Sequence, residues 1–388
     1  MTKKILFTPS DNNATSGAFL SMVRLSKILI ENYGYDVLVL LHNDGTGEKL
    51  LKENKIAYKK IRSFNWFVPY KPKELKRKIK KFLCYFWMPI TYIYNKIVIR
   101  RISQLLKKEK IDIVHINTSC CYVGAEAAKQ SKIPYVWHIR EFLEEDQERT
   151  IWNKKLAKRL MSNSNCVITI SNSLYKKYIN FIPTANVKKI YNGIDESKFL
   201  QDRRKINISN TKNIIMVGSI NKSKGQIQAI KACQLLKNRN ISNFSLSIIG
   251  KTSDYSRSLE NYVKENSMEE FVRFLGPKEN IEEYYFSSDI VLMCSEAEAF
   301  GRVTVEAMMA GCLVIGANSG CTPELIEDDY SGILYKSGDY FDLANKIEFA
   351  LNNANYVRKI VENGRNVMLR TMTAKENAEK INDIYNQI

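Results

Sequence analysis

The run Cys294-Ser-Glu-Ala-Glu-Ala-Phe-Gly-Arg-Val-Thr-Val-Glu-Ala-Met-Met-Ala-Gly carries two carboxylates, Glu298 and Glu306, on either side of Gly301. Apolar residues 290–293 precede it and apolar residues 313–315 follow. Residues 302–310 are helix formers, and Gly311 suits the position just past a helix end. The order is therefore strand, loop, helix, strand, with residues 298–301 leading into a helix N-terminus. Free backbone N–H groups and the helix dipole at such a point suit a phosphate. Gly301 lets a ligand approach the backbone closely. Carboxylates beside an anion site do not bind the anion. Glu298 and Glu306 can instead accept hydrogen bonds from sugar hydroxyls flanking a diphosphate.

Other phosphate chemistries lack their signatures. No Gly-x-Gly-x-x-Gly follows the first apolar strand, which disfavours a nicotinamide dehydrogenase, and Gly45-Thr-Gly47 has no third glycine. No complete Gly-x-x-x-x-Gly-Lys-Ser/Thr loop marks a nucleoside triphosphatase. Eight cysteines occur without a Cys-x-x-Cys pair, and only three histidines are available, so a structural zinc site is not expected. Cysteines in apolar runs, such as Cys166, read as buried free thiols of a reducing compartment.

The elements that would position this loop alternate between strand and helix. Residues 5–7, 37–41, 111–116, 135–138 and 167–170 are strand candidates, as are 214–217, 245–249, 272–274, 290–293 and 313–315. Many are almost wholly apolar, as strands covered on both faces should be. Residues 18–33 have helical spacing at Phe19, Met22, Val23, Leu25, Ile28 and Leu29. Such alternation argues for doubly wound α/β layers. At roughly 100–200 residues per domain, 388 residues favour two domains. The polar stretch after Tyr191-Asn-Gly-Ile-Asp, near residues 195–212, marks their boundary.

Charge is divided unevenly. Residues 1–200 carry 36 Lys and Arg against 17 Asp and Glu, whereas residues 201–388 carry 23 against 24. The whole excess of +18 thus sits in the first half, which is expected to face an acidic surface by itself. Residues 71–110 alone hold 13 basic and two acidic residues. Leu75, Ile79, Phe82, Leu83 and Phe86 form a helical stripe there, interleaved with Lys73, Lys76, Arg77, Lys80 and Lys81. Two readings stand: a surface helix with its apolar face on the core, or an interfacial helix on an anionic membrane. Pro89 is expected to kink or end that helix. The apolar stretch at the N-terminus is too short for a signal peptide, and no run of about 20 apolar residues predicts a membrane span.

Taken in order, further motifs bring out a family resemblance. Glu298 and Glu306 form the Glu-x7-Glu pair of family 4 glycosyltransferases, retaining enzymes of the GT-B fold. Val217-Gly-Ser-Ile-Asn-Lys-Ser-Lys-Gly resembles the family's phosphate loop, and Tyr191-Asn-Gly-Ile-Asp its interdomain turn. Asp112-Ile-Val-His and Val136-Trp-His-Ile-Arg-Glu resemble strands of its first domain. Gly17-Ala18 resembles the acceptor-side loop, and Pro323-Glu-Leu-Ile and Gly332-Ile-Leu-Tyr the closing segments. The resemblance spans nearly the whole chain.

This resemblance implies roles. Glu306 holds the ribose hydroxyls of a nucleotide sugar, and Glu298 touches hydroxyls of the transferred sugar. Lys224 neutralises the departing diphosphate, aided by backbone N–H groups around Phe300, Gly301, Arg302 and Val303. Gly218 and Ser219 belong to the phosphate loop. His138 lines the sugar pocket, and Gly17 and Ala18 lie on the acceptor side. The family often places Arg where Ser219 stands, so Lys222 or Arg302 substitutes or Lys224 acts alone. His115 reads as structural. No Asp-x-Asp occurs, and the family pattern implies no metal and no cofactor beyond the nucleotide-diphosphate sugar itself.

The expected fold is α/β, GT-B, with two Rossmann-like domains facing across a cleft. Residues 1–195 form the acceptor domain, joined by residues 372–388 crossing back, and residues 196–371 form the donor domain. The expected activity is retaining, metal-independent transfer of a hexosyl-type sugar to a glycan or lipid-linked acceptor in cell-surface polysaccharide or glycoconjugate synthesis. An anionic membrane surface is the expected partner and nucleic acid is not, placing the protein in the cytoplasm on the inner face of the membrane. The alternatives are a GT-B nucleotide-sugar epimerase or a non-catalytic basic membrane-binding module.

Overall fold

The computed structural model describes residues 2–200 and 211–388. Most of the polar stretch expected at the domain boundary, residues 201–210, lies outside the described residues. Two compact units form, Met1–Gly193 with Ala374–Ile388, and Ile194–Thr373.

In the first unit the strands are β1 (Lys4–Pro9), β2 (Asp36–Leu41), β3 (Ala57–Lys60), β4 (Phe67–Pro69), β5 (Ile113–Asn117), β6 (Tyr135–Ile139), β7 (Arg149–Ile151), β8 (Cys166–Thr169) and β9 (Val187–Lys189). Seven of them form one parallel sheet in the order β3-β2-β1-β5-β6-β8-β9, while β4 and β7 pair antiparallel on their own. All residues of β5, β6 and β8 are buried, in keeping with their apolar sequences. The connecting helices are α1 (Gly17–Tyr33), α2 (Gly47–Glu53), α3 (Leu75–Lys108), α4 (Val123–Ser131), α5 (Lys154–Ser162) and α6 (Asn172–Phe181). The chain leaves β1 toward β2 on one side and later enters β5 on the other. The β1–β5 boundary is therefore the topological switch point, where α/β sheets bind ligands at their carboxyl ends.

Helix α3 departs from simple alternation. Its second half buries Val98, Ile99, Ile102 and Leu105 against the unit. At about 100° per residue, Ile79, Phe82, Phe86, Ile90, Ile93 and Ile97 fall on nearly the opposite side, and all six are exposed. The apolar stripe of residues 75–86 thus does not pack on the core, and the surface-helix reading fails. The expected end or kink at Pro89 is also corrected in part, because the helix continues to Lys108. Proline removes one N–H, and the carbonyl it leaves over belongs to the exposed Tyr85, where water can take it. Among the described residues, no helix is long and apolar enough to cross a membrane.

The second unit holds β10 (Lys212–Val217), β11 (Phe244–Ile249), β12 (Val272–Gly276), β13 (Ile290–Met293), β14 (Leu313–Ala317) and β15 (Ile333–Tyr335). They form a parallel sheet ordered β12-β11-β10-β13-β14-β15, the doubly wound Rossmann order, with its switch point between β10 and β13. Its helices are α7 (Gln226–Asn238), α8 (Asp254–Glu265), α9 (Ile281–Phe286), α10 (Arg302–Met309), α11 (Thr322–Leu325), α12 (Tyr340–Asn352) and α13 (Ala354–Thr371). The last helix, α14 (Ala374–Asn386), belongs to the first unit, where Ala378, Ile381, Ile384 and Tyr385 join its core.

Candidate functional site

In the second unit two loops meet at the switch point, one after β10 and one after β13. The first, residues 218–225, contains Gly218, Ser219 and Lys224. Asn221 caps its 3-10 turn by accepting from the Lys224 N–H at 3.2 Å. Gly225 then takes φ +71°, and a Cβ there would lie 2.3 Å from the Cys294 carbonyl oxygen. Only glycine lets the two loops approach so closely. Lys224 Nζ consequently donates to Glu298 Oε2 at 2.9 Å, a partly buried ion pair bridging the loops.

Gly301, at φ +84°, starts α10 in a left-handed conformation. Phe300 is buried, and Arg302 and Val303 are half-buried. The first turn of α10 contains no acidic residue, so no side chain within that turn offsets its N–H groups and positive dipole end. One turn on, Glu306 is only 6% exposed. Its Oε1 accepts from Arg302 Nε at 2.8 Å and its Oε2 from the Tyr285 hydroxyl at 3.2 Å. A carboxylate has about four lone-pair directions, so both oxygens can still accept from a ligand hydroxyl. Burial, with Glu306 beside it, pushes the Tyr285 hydroxyl well above its ordinary range and keeps it a donor. Arg302 therefore commits its Nε to Glu306. Gly311 sits past the end of α10 at φ +81°.

The first unit has its own polar cluster at the carboxyl ends of β5 and β6. Gly17 and Ala18 open α1, and the Ala18 carbonyl accepts from Asn117 Nδ2 at 3.1 Å. His138 is fully buried. Its Nδ1 lies 3.1 Å from His115 Nε2 and 3.2 Å from an Arg140 guanidinium nitrogen. Arg140 also donates from Nε to Asn117 at 2.5 Å and from a terminal nitrogen to Asn192. His115 Nδ1 lies 2.6 Å from the hydroxyl of Tyr385 on α14. Burial holds both histidines well below the usual imidazole range, with the Arg140 charge acting in the same direction. The same burial lowers the Arg140 guanidinium to about 9.

The structure brings Lys224 to Glu298 and Arg302 to Glu306, and groups Ala18 with Asn117. Sequence reasoning passed over Tyr285, Arg140 and Tyr385, and gave His115 no partner although it has two. Tyr285 lies in an ordinary helical sequence, and its tie to Glu306 exists only after folding. Arg140 stood within a quoted motif, two residues past His138, and its basic character in an apolar strand context was the available signal.

Comparison with known proteins gives a consistent picture. The family description "Glycosyltransferase Family 4" matches residues 15–198. The description "Glycosyl transferases group 1" matches residues 198–367. The N-acetyl-alpha-D-glucosaminyl L-malate synthase of Bacillus anthracis is 24% identical over 305 residues, covering 75% of this chain and 79% of that one. A UDP-Gal:alpha-D-GlcNAc-diphosphoundecaprenol alpha-1,3-galactosyltransferase of Escherichia coli is 22% identical over 299 residues, covering 73% and 77%. Among solved structures, Anabaena HepE in complex with UDP aligns with a TM-score of 0.81 at 22% identity, covering 99% of this chain and 100% of that one.

Proposed function

The chain belongs to glycosyltransferase family 4 and has the GT-B fold, and from that premise we propose that it moves a hexosyl-type sugar, with retention, from a nucleotide-diphosphate sugar to a glycan or lipid-linked acceptor. The observation that carries this reading is the pairing of Lys224 with Glu298 at the switch point, beside the open N-terminus of α10. A uridine diphosphate sugar is the first donor to try, because HepE is similar in fold and was solved with UDP. A lipid diphosphate is the first acceptor, by similarity to the Escherichia coli galactosyltransferase. The pathway is cell-surface polysaccharide or glycoconjugate assembly.

In this reading the diphosphate enters against the α10 N-terminus, and Lys224 turns from Glu298 to the phosphate oxygens. Charge developing on the leaving diphosphate then meets a fixed cation and preorganised N–H groups. Glu298, released from Lys224, accepts from hydroxyls of the transferred sugar. Glu306 accepts from the ribose hydroxyls while Arg302 and Tyr285 hold it in place. Gly218 and Ser219 line the diphosphate side, His138 the sugar, and Gly17 and Ala18 the acceptor. No metal is required, because the Lys224 ammonium and the helix N–H groups supply the positive charge. A donor panel followed by nucleotide release tests the activity. Turnover that persists in EDTA is expected, and a loss restored by magnesium or manganese would contradict the metal-free reading.

The enzyme works at the inner face of a membrane in this proposal. Helix α3 supports it, with an exposed apolar stripe on the side away from the core and the exposed Lys76 and Lys78 on its two flanks. Each Lys or Arg near an anionic surface contributes about 1 kcal/mol before screening. Binding to anionic but not neutral vesicles is expected, lost at high salt and in a variant with Lys76, Arg77, Lys78, Lys80 and Lys81 changed to Gln. Equal vesicle binding by that variant would remove the charge argument.

A further inference from the structure

The buried cluster of the first unit has a hydrogen-bond direction that its donors impose. Arginine can only donate. Its guanidinium nitrogen lies 3.2 Å from His138 Nδ1, so that nitrogen must present its lone pair. The neighbouring His115 Nε2, 3.1 Å from the same atom, must then carry a proton and share the lone pair. Burial holds His115 neutral, so its other nitrogen, Nδ1, is an acceptor. The Tyr385 hydroxyl, 2.6 Å away, donates to it. The chain of donation runs from Tyr385 to His115 to His138, with Arg140 closing it from the side. One proton remains on His138, and it sits on Nε2.

That Nε2 is buried and has no hydrogen-bond partner among the described residues. A buried donor left unmade is costly, so a ligand oxygen is its natural complement. We propose that Arg140, His115 and Tyr385 are positioning residues that lock His138 as a neutral Nε2–H donor to an oxygen of the bound substrate, and so bar it from acting as a base. The substrate half of this statement rests on the glycosyltransferase reading, in which that oxygen is a sugar hydroxyl. The tautomer half does not. Among the described residues the Arg140 guanidinium hydrogen-bonds no carboxylate: its three bonds go to Asn117, Asn192 and His138, and Glu141 acts on it only through space. The adjacent Glu141 carboxylate is engaged by the Ser119 N–H and hydroxyl and by the Arg140 backbone N–H. The guanidinium charge therefore bears on His138 and opposes imidazolium there. Tyr385 comes from α14, which gives the returning C-terminal helix a part in setting the state of a ring on β6.

Only three histidines occur, His42, His115 and His138, so the ring nitrogens of the full chain can be resolved by 15N-histidine NMR. His42→Gln assigns the His42 signals. Wild type without ligand is expected to show His115 and His138 each as a single neutral tautomer with the proton on Nε2. Arg140→Met with Tyr385→Phe is expected to give mixed tautomers at both rings, and Arg140→Lys in the Tyr385→Phe background to restore part of the lock. A His138 protonated on Nδ1, or an imidazolium, in wild type would overturn the proposal even where every variant fails to fold. So would a double variant that folds and keeps wild-type ring signals. These outcomes do not depend on any sugar donor, so failure of the glycosyltransferase reading would show separately, in the nucleotide-release assay.

Discussion

Both units gather polar groups toward the carboxyl ends of their parallel strands, at the β10–β13 switch point in the second and at β5 and β6 in the first, and treat them in opposite ways. In the second unit, Lys224 and Glu298 are about one-fifth exposed and oppositely charged, so each neutralises the other until something better arrives. In the first unit, His115, His138 and Arg140 are buried, and the only ionised member of that set lies among neutral acceptors. A partly exposed ion pair costs little to open and can be exchanged for a charged ligand. A buried hydrogen-bond chain is expensive to disturb and suits a group whose orientation must not change. The difference fits the proposed roles, exchange of a diphosphate in one unit and fixed presentation of a single N–H in the other.

The largest effect should come from breaking the exchangeable side. Lys224→Ala removes the cation proposed to meet the leaving diphosphate, and turnover is expected to fall about 10²–10³-fold, as for other lost charge-stabilising donors. Steady-state nucleotide release measures it, and a loss below a few-fold would show that Arg302 or Lys222 makes up for Lys224. A smaller effect is expected for Tyr285→Phe. Glu306 keeps Arg302 but loses one hydrogen bond of about 1 kcal/mol, so nucleotide affinity should drop about fivefold.

Acid should separate the two units. All three histidines belong to the first unit, and burial lowers His42 to about 4 and holds His115 and His138 well below their ordinary value. Below about pH 6.5 the unfolded chain binds protons that these rings refuse, so stability falls as pH drops, by up to about 1.4 kcal/mol per ring per pH unit. Glu141 and Asp11, raised by burial, act in the other direction but are fewer. Trp66, Trp87, Trp137 and Trp152 all lie in the first unit as well, so tryptophan fluorescence reports on it alone. The urea midpoint read this way should decrease between about pH 7.5 and about pH 5.5. A constant midpoint would mean that the rings take up protons in the folded state.

The smallest effect is expected at Gly17. A Cβ there meets nothing within 4 Å. Gly17→Ala should leave stability within about 0.5 kcal/mol of wild type. If the α1 N-terminus faces the acceptor, the acceptor KM should rise several-fold with the donor KM unchanged. An unaltered acceptor KM would take Gly17 out of the site.

Strands that are apolar and covered on both faces, such as β5, β6 and β13, were legible because their burial is written in their composition. The short edges were not. β3 is mostly exposed and reads Ala-Tyr-Lys-Lys, and β9 and β15 have three residues each, too few for a period. The Glu-Ala-Phe-Gly run located the loop before α10 because that loop is local in sequence. The Lys224–Glu298 bond joins residues 74 positions apart, and no spacing rule predicts it. The same holds for Tyr385 and His115, 270 positions apart. On α3 the stripe was legible but its direction was not, since periodicity fixes a face without saying what covers it.

The central claim is that the second unit binds a nucleoside diphosphate at the start of α10, with Glu306 on the ribose. Calorimetric titration of UDP into wild type and Glu306→Ala tests it most directly. The account predicts binding to wild type and a loss of about 1.5–3 kcal/mol in the variant, with the fold retained. Equal affinity in the two proteins would contradict the placement of the donor at this site.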